Sequence, residues 1–275
     1  MMLTTELLQS WRPDDKRRDP PIISQTWRGT EQSPMLVTLW GEQYARAYGW
    51  MLSLGITNRL WEDFASLVCS EFKEGIIFDA GIGQGDITRQ LLDRCPETRV
   101  IGGDWSLPFL QRAQKNLEGN PYKGRVALCQ MDLTQSWPSE WQESFDGVFC
   151  NYVAAYMPIE NQKTLLSEAF RVLRKDGVLF INFMVRHVEF RDVLRRNIPA
   201  EIKRNPFVLL RALLLIPIFT TKVDKARDTD LIQSFAPGEF EETARQVGFR
   251  DVKIASWHLP LSAESYAVPT YRLVK

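Results

Sequence analysis

Apolar and polar positions change their period several times along this chain, and the changes divide it into elements. Short apolar runs closed by Gly, Asp or Asn read as strands buried on both faces. They are Ile76 to Phe78, Arg99 to Asp104, Val126 to Gln130, Phe145 to Asn151 and Val178 to Phe183. Between them apolar residues recur at helical spacing, through Ile87, Leu91 and Leu92, then Phe109 to Leu117, then Asn161 to Leu173. An amphipathic helix from Phe240 to Val247, closed by Gly248, precedes two last strands, Val252 to Ile254 and Tyr271 to Val274. Strands alternating with helices over connections long enough for right-handed crossovers predict an α/β fold, a doubly wound seven-stranded Rossmann-like sheet.

Two stretches break the alternation. Residues 1–70 read as an N-terminal arm and helical lid, before a ligand-binding domain over residues 71–275. Residues 11–34 hold four prolines and the charge cluster Asp14 to Asp19 between Trp11 and Trp27, a composition that cannot form its own core. The pattern is helical from Leu36 to Phe72. The second break, residues 184–235, reads as a helical insertion after the fifth strand. Its arginines at 186, 191, 195, 196 and 204 lead into an apolar block, residues 206–219, interrupted by Arg211 and Pro217 and too short to span a bilayer. An insertion at that point lies over the carboxyl ends of the strands, so it is expected to cover the substrate.

The stretch that carries chemistry is Asp79-Ala80-Gly81-Ile82-Gly83-Gln84-Gly85. It joins a buried strand to a helix, and its glycines let a ligand lie against main-chain N–H groups at the positive end of that helix. A dinucleotide fingerprint places its third glycine three residues after the second, and here the spacing is two. Asp79 adds negative charge that would repel a pyrophosphate and attract an ammonium. An amino-acid moiety fits better, which favours S-adenosylmethionine over a nicotinamide dinucleotide. Asp104 ends the second strand 19 residues past Gly85, where a carboxylate can accept bonds from two ribose hydroxyls.

Composition narrows the function further. The 275 residues are 44% apolar, enough to bury a full core, and 34 basic residues balance 34 acidic ones. The global charge expected of a nucleic-acid binder is absent, so no nucleic-acid partner is expected. Cys69, Cys95, Cys129 and Cys150 form no CxxC pair and there are only two histidines, so no metal site and no disulfide framework are signalled. Reduced thiols and the lack of a secretory signal at Met1 to Ser10 fit a cytoplasmic protein.

The pattern Asp79-x-Gly81-x-Gly83-x-Gly85 resembles motif I of the class I S-adenosylmethionine-dependent methyltransferases. Ser53-Leu54-Gly55 with Arg59-x-Trp61, in the helical stretch Tyr44 to Trp61, is similar to the leading segment of the ubiquinone/menaquinone biosynthesis C-methyltransferases. The run Arg171 to Gly177 also resembles that family. The likeness covers roughly residues 40 to 275 and is most specific in the cofactor half. It implies S-adenosyl-L-methionine as cofactor, with Trp105 on the adenine, Asp132 at the adenine amino group, the Leu133 N–H at a ring nitrogen, and Asn151 on the cofactor side. The family's Tyr-Asp-x-x-Asn lead is replaced by Tyr48-Gly49-Trp50-Met51-Leu52, and its Phe-Gly-x-Arg-Asn run by Tyr152-Val153-Ala154-Ala155-Tyr156. The second departure leaves the acceptor open. The expectation is methyl transfer to a small lipophilic or aromatic acceptor, with Tyr156 and His187 as candidate acid–base residues. A nicotinamide oxidoreductase and a non-methylating protein on the same fold are the alternatives. Peripheral contact with a membrane, through the arginines and the apolar block, and a homodimer are further candidate associations.

Overall fold

The structure is a computed structural model, which describes residues 22–24, 41–119, 121–182, 190–211, 213–214, 235–236, 238–258 and 268–275. Its strands are β1 (Ile22–Ser24), β2 (Glu74–Ala80), β3 (Glu97–Asp104), β4 (Val126–Gln130), β5 (Phe145–Cys150), β6 (Leu173–Asn182), β7 (Asp251–His258) and β8 (Val268–Val274). They form one sheet in the order β1-β4-β3-β2-β5-β6-β8-β7. All neighbours are parallel except β8, which lies antiparallel to both β6 and β7. The seven strands read from the sequence are present. An eighth, β1, extends the edge beyond β4 from within the proline-rich arm.

Burial explains why these segments are strands. From Ile77 to Ala80, and from Val100 to Gly103, every residue is buried. That leaves no polar face to alternate with, as a sheet covered on both sides requires. Aromatic rings fill one layer of the core: Phe78 meets Trp137, Trp141 and Phe145 with ring centroids 4.9, 5.2 and 5.5 Å apart. The predicted turn over residues 174–177 lies inside β6 as a bulge. Phe145 pairs with Leu173 and Gly147 with Val178, so the extra residues loop out, with Asp176 at φ 64°.

The helices delimited among the described residues are α1 (Glu42–Leu52), α2 (Gly55–Glu71), α3 (Asp86–Arg94), α4 (Leu107–Asn116), α5 (Ile159–Val172), α6 (Phe190–Arg204) and α7 (Glu239–Val247). The helical stretch before the first core strand is thus two helices, parted at Ser53-Leu54. Leu54 offers no side-chain cap, and the α2 N-terminus is capped instead from the insertion: Gly55 N–H donates to Glu201 Oε2 at 3.0 Å. Arg204 donates to Ser53 O at 2.9 Å, and the Arg211 guanidinium lies 4.4 Å from the Trp50 ring centre. Part of the insertion is therefore fastened to the lid. Residues 206–211 are helical; Leu209 is buried, whereas Phe207 is 76% and Leu214 68% exposed.

Candidate active site

The order of the sheet reverses between β2 and β5, and a crevice opens there at the carboxyl ends of the strands. The loop after β2 forms one wall and the residues after β5 the other. The resulting cleft is lined by Gly81, Gly83, Asp104, Trp105, Asp132 and Leu133 on one side. Asn151, Tyr152, Val153, Tyr156 and Met157 line the other, with Tyr48, Phe109 and Thr134 completing it.

Each residue is there for a local reason. Gly83, at φ +55°, would carry a Cβ that meets nothing within 4 Å except Phe109, at 3.8 Å, so its missing side chain is open space on the cleft side. Gly81 is glycine because a Cβ would strike Val153 at 2.1 Å. Gly85 does not line the cleft. It starts α3 at φ +80°, and a Cβ would press on Leu117 at 2.9 Å, so its smallness serves the packing of α3 against α4.

Asp104 accepts the Gly83 N–H at 3.0 Å on Oδ2 and the Ser106 N–H at 2.9 Å on Oδ1. Burial pushes its carboxyl up to about 6, against the pull of these N–H donors. Asp79 stands behind the loop rather than in the cleft lining. It is buried, accepts the Thr88 hydroxyl at 2.5 Å, and burial pushes it up to about 8, with the nearby Asp104 charge adding to the rise. The ionised carboxylate that the lining presents beside the loop is thus Asp104. Asp132 Oδ1 accepts the Thr134 N–H and hydroxyl at 2.9 and 2.7 Å. Asn151 accepts a bond from the Asn182 amide, whose own oxygen takes the Tyr152 N–H at 2.6 Å.

Sequence reasoning placed Tyr156 here, and it lines the cleft from the short helical turn Ala154–Tyr156. His187 lies outside the described residues. Two tyrosines were missed as site residues. Tyr48 reaches in from α1, its ring edge-on to Phe109 at 5.7 Å, and α1 is held to the glycine loop by Gln84 Nε2 donating to Ala45 O at 2.7 Å. Tyr152 sits at φ +59°, a region that bulky residues rarely occupy. Its ring packs edge-on to Trp61 of α2 at 5.5 Å, and its buried hydroxyl has no hydrogen-bond partner among the described residues. Burial and the nearby Tyr156 raise the Tyr152 phenol above its ordinary range. The signal for Tyr152 was its place directly after Asn151 at a strand exit, a usual position for function in this topology. The apolar block enters the lining nowhere among the described residues.

The chain resembles several known proteins in sequence and in fold. Residues 77–177 match a family described as "Methyltransferase domain". Trans-aconitate 2-methyltransferase of Azoarcus sp. (strain BH72) is 33% identical over 125 residues, 45% of this chain and 44% of that protein. The ubiquinone/menaquinone biosynthesis C-methyltransferase UbiE of Geotalea daltonii is 24% identical over 208 residues, 74% of this chain and 82% of that one. A ribosomal RNA large subunit methyltransferase G from Klebsiella pneumoniae is 28% identical over 165 residues, 56% of this chain and 40% of that protein. The chain thus spans less than half of the first and third of these relatives. Among solved structures, magnesium protoporphyrin IX methyltransferase from Synechocystis PCC 6803 with bound S-adenosylmethionine shares the fold. The TM-score is 0.58 at 14% identity, over 91% of this chain and 100% of that one. In its fold, in its glycine loop and over residues 77–177 the chain is thus similar to the class I S-adenosylmethionine-dependent methyltransferases.

Proposed function

We propose that the cleft binds S-adenosyl-L-methionine and that the chain transfers its methyl group to a small lipophilic or aromatic acceptor. The observation that carries the reading is a cleft with two unlike walls. A polar wall of Gly83, Asp104 and Asp132 faces an aromatic one of Tyr48, Tyr152 and Tyr156, and no lysine, arginine or histidine lines either among the described residues.

On the polar wall, Gly83 leaves room for the amino-acid end of the cofactor beside the α3 N-terminus, with Gly81 bordering it. Asp104 accepts bonds from the ribose hydroxyls, Trp105 covers the adenine, and Asp132 with the Leu133 N–H reads its polar edge. Asn151 borders the cofactor from the β5 side, while Asp79 and Gly85 support the loop from behind. When bound, the cofactor supplies a methyl group already activated by its sulfonium. The tyrosine wall then has to align the acceptor and keep water out. Tyr152 stays protonated at neutral pH, so it can donate a hydrogen bond to the acceptor but cannot serve as a base. Tyr156 and His187 remain the candidates for taking a proton from an acceptor that must lose one.

A lipophilic acceptor also gives a use to the exposed apolar positions Phe207, Leu210, Leu213 and Leu214 beside Lys203 and Arg211, which suit an anionic lipid surface. No helix among the described residues is long and apolar enough to cross a membrane. Flotation with phosphatidylglycerol vesicles, against phosphatidylcholine vesicles, tests that contact. Methyl-labelled cofactor incubated with organic-soluble extract and with ribosomal RNA tests the acceptor. Label in the organic phase supports the reading, and label in the RNA overturns it.

A further inference from the structure

A pair of cysteines remote from the cleft carries an inference that does not depend on the methyl-transfer reading. Cys69 lies in the last turns of α2, and Cys95 is the residue that ends α3. Their sulfurs are 2.6 Å apart, about half an ångström more than a disulfide bond. The Cys69 thiol also donates weakly to the Leu91 carbonyl at 3.8 Å.

The fold holds both sides of the pair in place. Arg125 Nη2 donates to Cys95 O at 2.6 Å and to Leu92 O at 3.0 Å, while its Nε donates to Thr98 O at 3.2 Å, which fixes the turn between α3 and β3. The Cys95 N–H bonds to Leu91 O at 2.9 Å. On the other side, α2 is anchored through Phe64 and Val68 in the core, both fully buried. The sulfurs have only about half an ångström to close for a bond to form.

We propose that Cys69 and Cys95 are a site of oxidative modification, closing to a disulfide when the chain meets a disulfide oxidant such as oxidised glutathione. Cys69 is half-buried and Cys95 buried, so Cys69 meets the oxidant first. Its thiolate attacks one glutathione sulfur and releases the first glutathione. The Cys95 sulfur then attacks Cys69 Sγ and releases the second. Two protein thiols are oxidised, one oxidant disulfide is reduced to two thiols, and both protein protons leave with the glutathione. Burial and the adjoining Cys95 push the Cys69 thiol up to about 12, with Arg94 pulling the other way, so thiolate is scarce and the step is slow at neutral pH. Once formed, the bond ties α2 to α3 and closes a loop of some two dozen residues, which restricts the unfolded chain.

The test uses the purified full chain, reduced, freed of reductant and treated with oxidised glutathione. It is then denatured, alkylated and digested for mass spectrometry. The expected product is a linked peptide pair joining Cys69 to Cys95, lighter than the two reduced peptides by two hydrogens, with Cys129 and Cys150 still alkylated. The oxidised chain should melt several degrees higher than the reduced one. Cys95→Ser should trap a glutathione adduct on Cys69, and Cys69→Ser should abolish the product. Four alkylated cysteines after prolonged oxidation, a lasting glutathione adduct on the unaltered chain, or a link from Cys69 to Cys129 or Cys150 would each overturn the proposal.

Discussion

Asp104 sits where desolvation and hydrogen bonding pull against each other, and that tension makes its role measurable. Burial raises the carboxyl to about 6, while ribose hydroxyls bonding to the carboxylate would draw it back down. Cofactor binding near pH 6 should then release protons, and affinity should climb as pH rises through about 6 and level off above it. Calorimetry in buffers of different ionisation heat reads both effects. Asp104→Asn should remove the pH dependence and weaken binding roughly ten- to hundred-fold, the worth of one or two charge-assisted bonds at about 1.5–3 kcal/mol. Unchanged affinity in a folded variant would end the ribose assignment. Tyr152 invites a different measurement, because its strained backbone is held by the Asn182 amide while its hydroxyl waits for a partner. Tyr152→Phe should raise the acceptor KM and spare cofactor affinity. A fall in cofactor affinity instead would move Tyr152 to the other wall.

Among the elements, the α1–α2 lid and the insertion depend on one another. The α2 N-terminus lacks a local cap and borrows the Glu201 carboxylate, 146 positions away in sequence. Glu201→Ala should cost about 0.5–2 kcal/mol, the usual worth of a lost cap, felt mainly at the start of α2. Amide exchange at residues 55–59 should speed up while amides of β2 and β3 keep their protection, and acceptor KM should rise as the Trp61–Tyr152 contact loosens. Equal acceleration across the core would mean that Glu201 holds the whole fold rather than the lid. This coupling was invisible in the sequence, where Leu54-Gly55 reads only as a poor helix start. The core strands were legible for the opposite reason: a parallel strand buried on both faces writes its burial into a continuous apolar run. β1 escaped notice because Ile22-Ile23-Ser24 is too short to show a period.

For the whole molecule, the cofactor half of the cleft could be read because its loop is a single contiguous motif. Of the tyrosine wall only Tyr156 could, since α1 and the exit of β5 meet only through tertiary packing. The same packing buries two carboxyls, and it sets how overall stability should vary with pH. Asp79 and Asp104 are raised from 3.8 to about 8 and about 6, so between pH 4 and 8 the folded chain keeps protons that the unfolded chain has released. Stability contributed by these groups therefore falls as pH rises, the reverse of a salt-bridged acid. Asp79→Asn isolates the larger effect, because asparagine can still accept the Thr88 hydroxyl but never acquires the charge. The melting temperature of this variant, relative to the unaltered chain, should rise steadily from pH 5 and level off above about 8. A difference that stays the same at pH 5.5 and 8.5 would show that Asp79 ionises as an ordinary carboxylate, and the account of a proton held behind the glycine loop would fall.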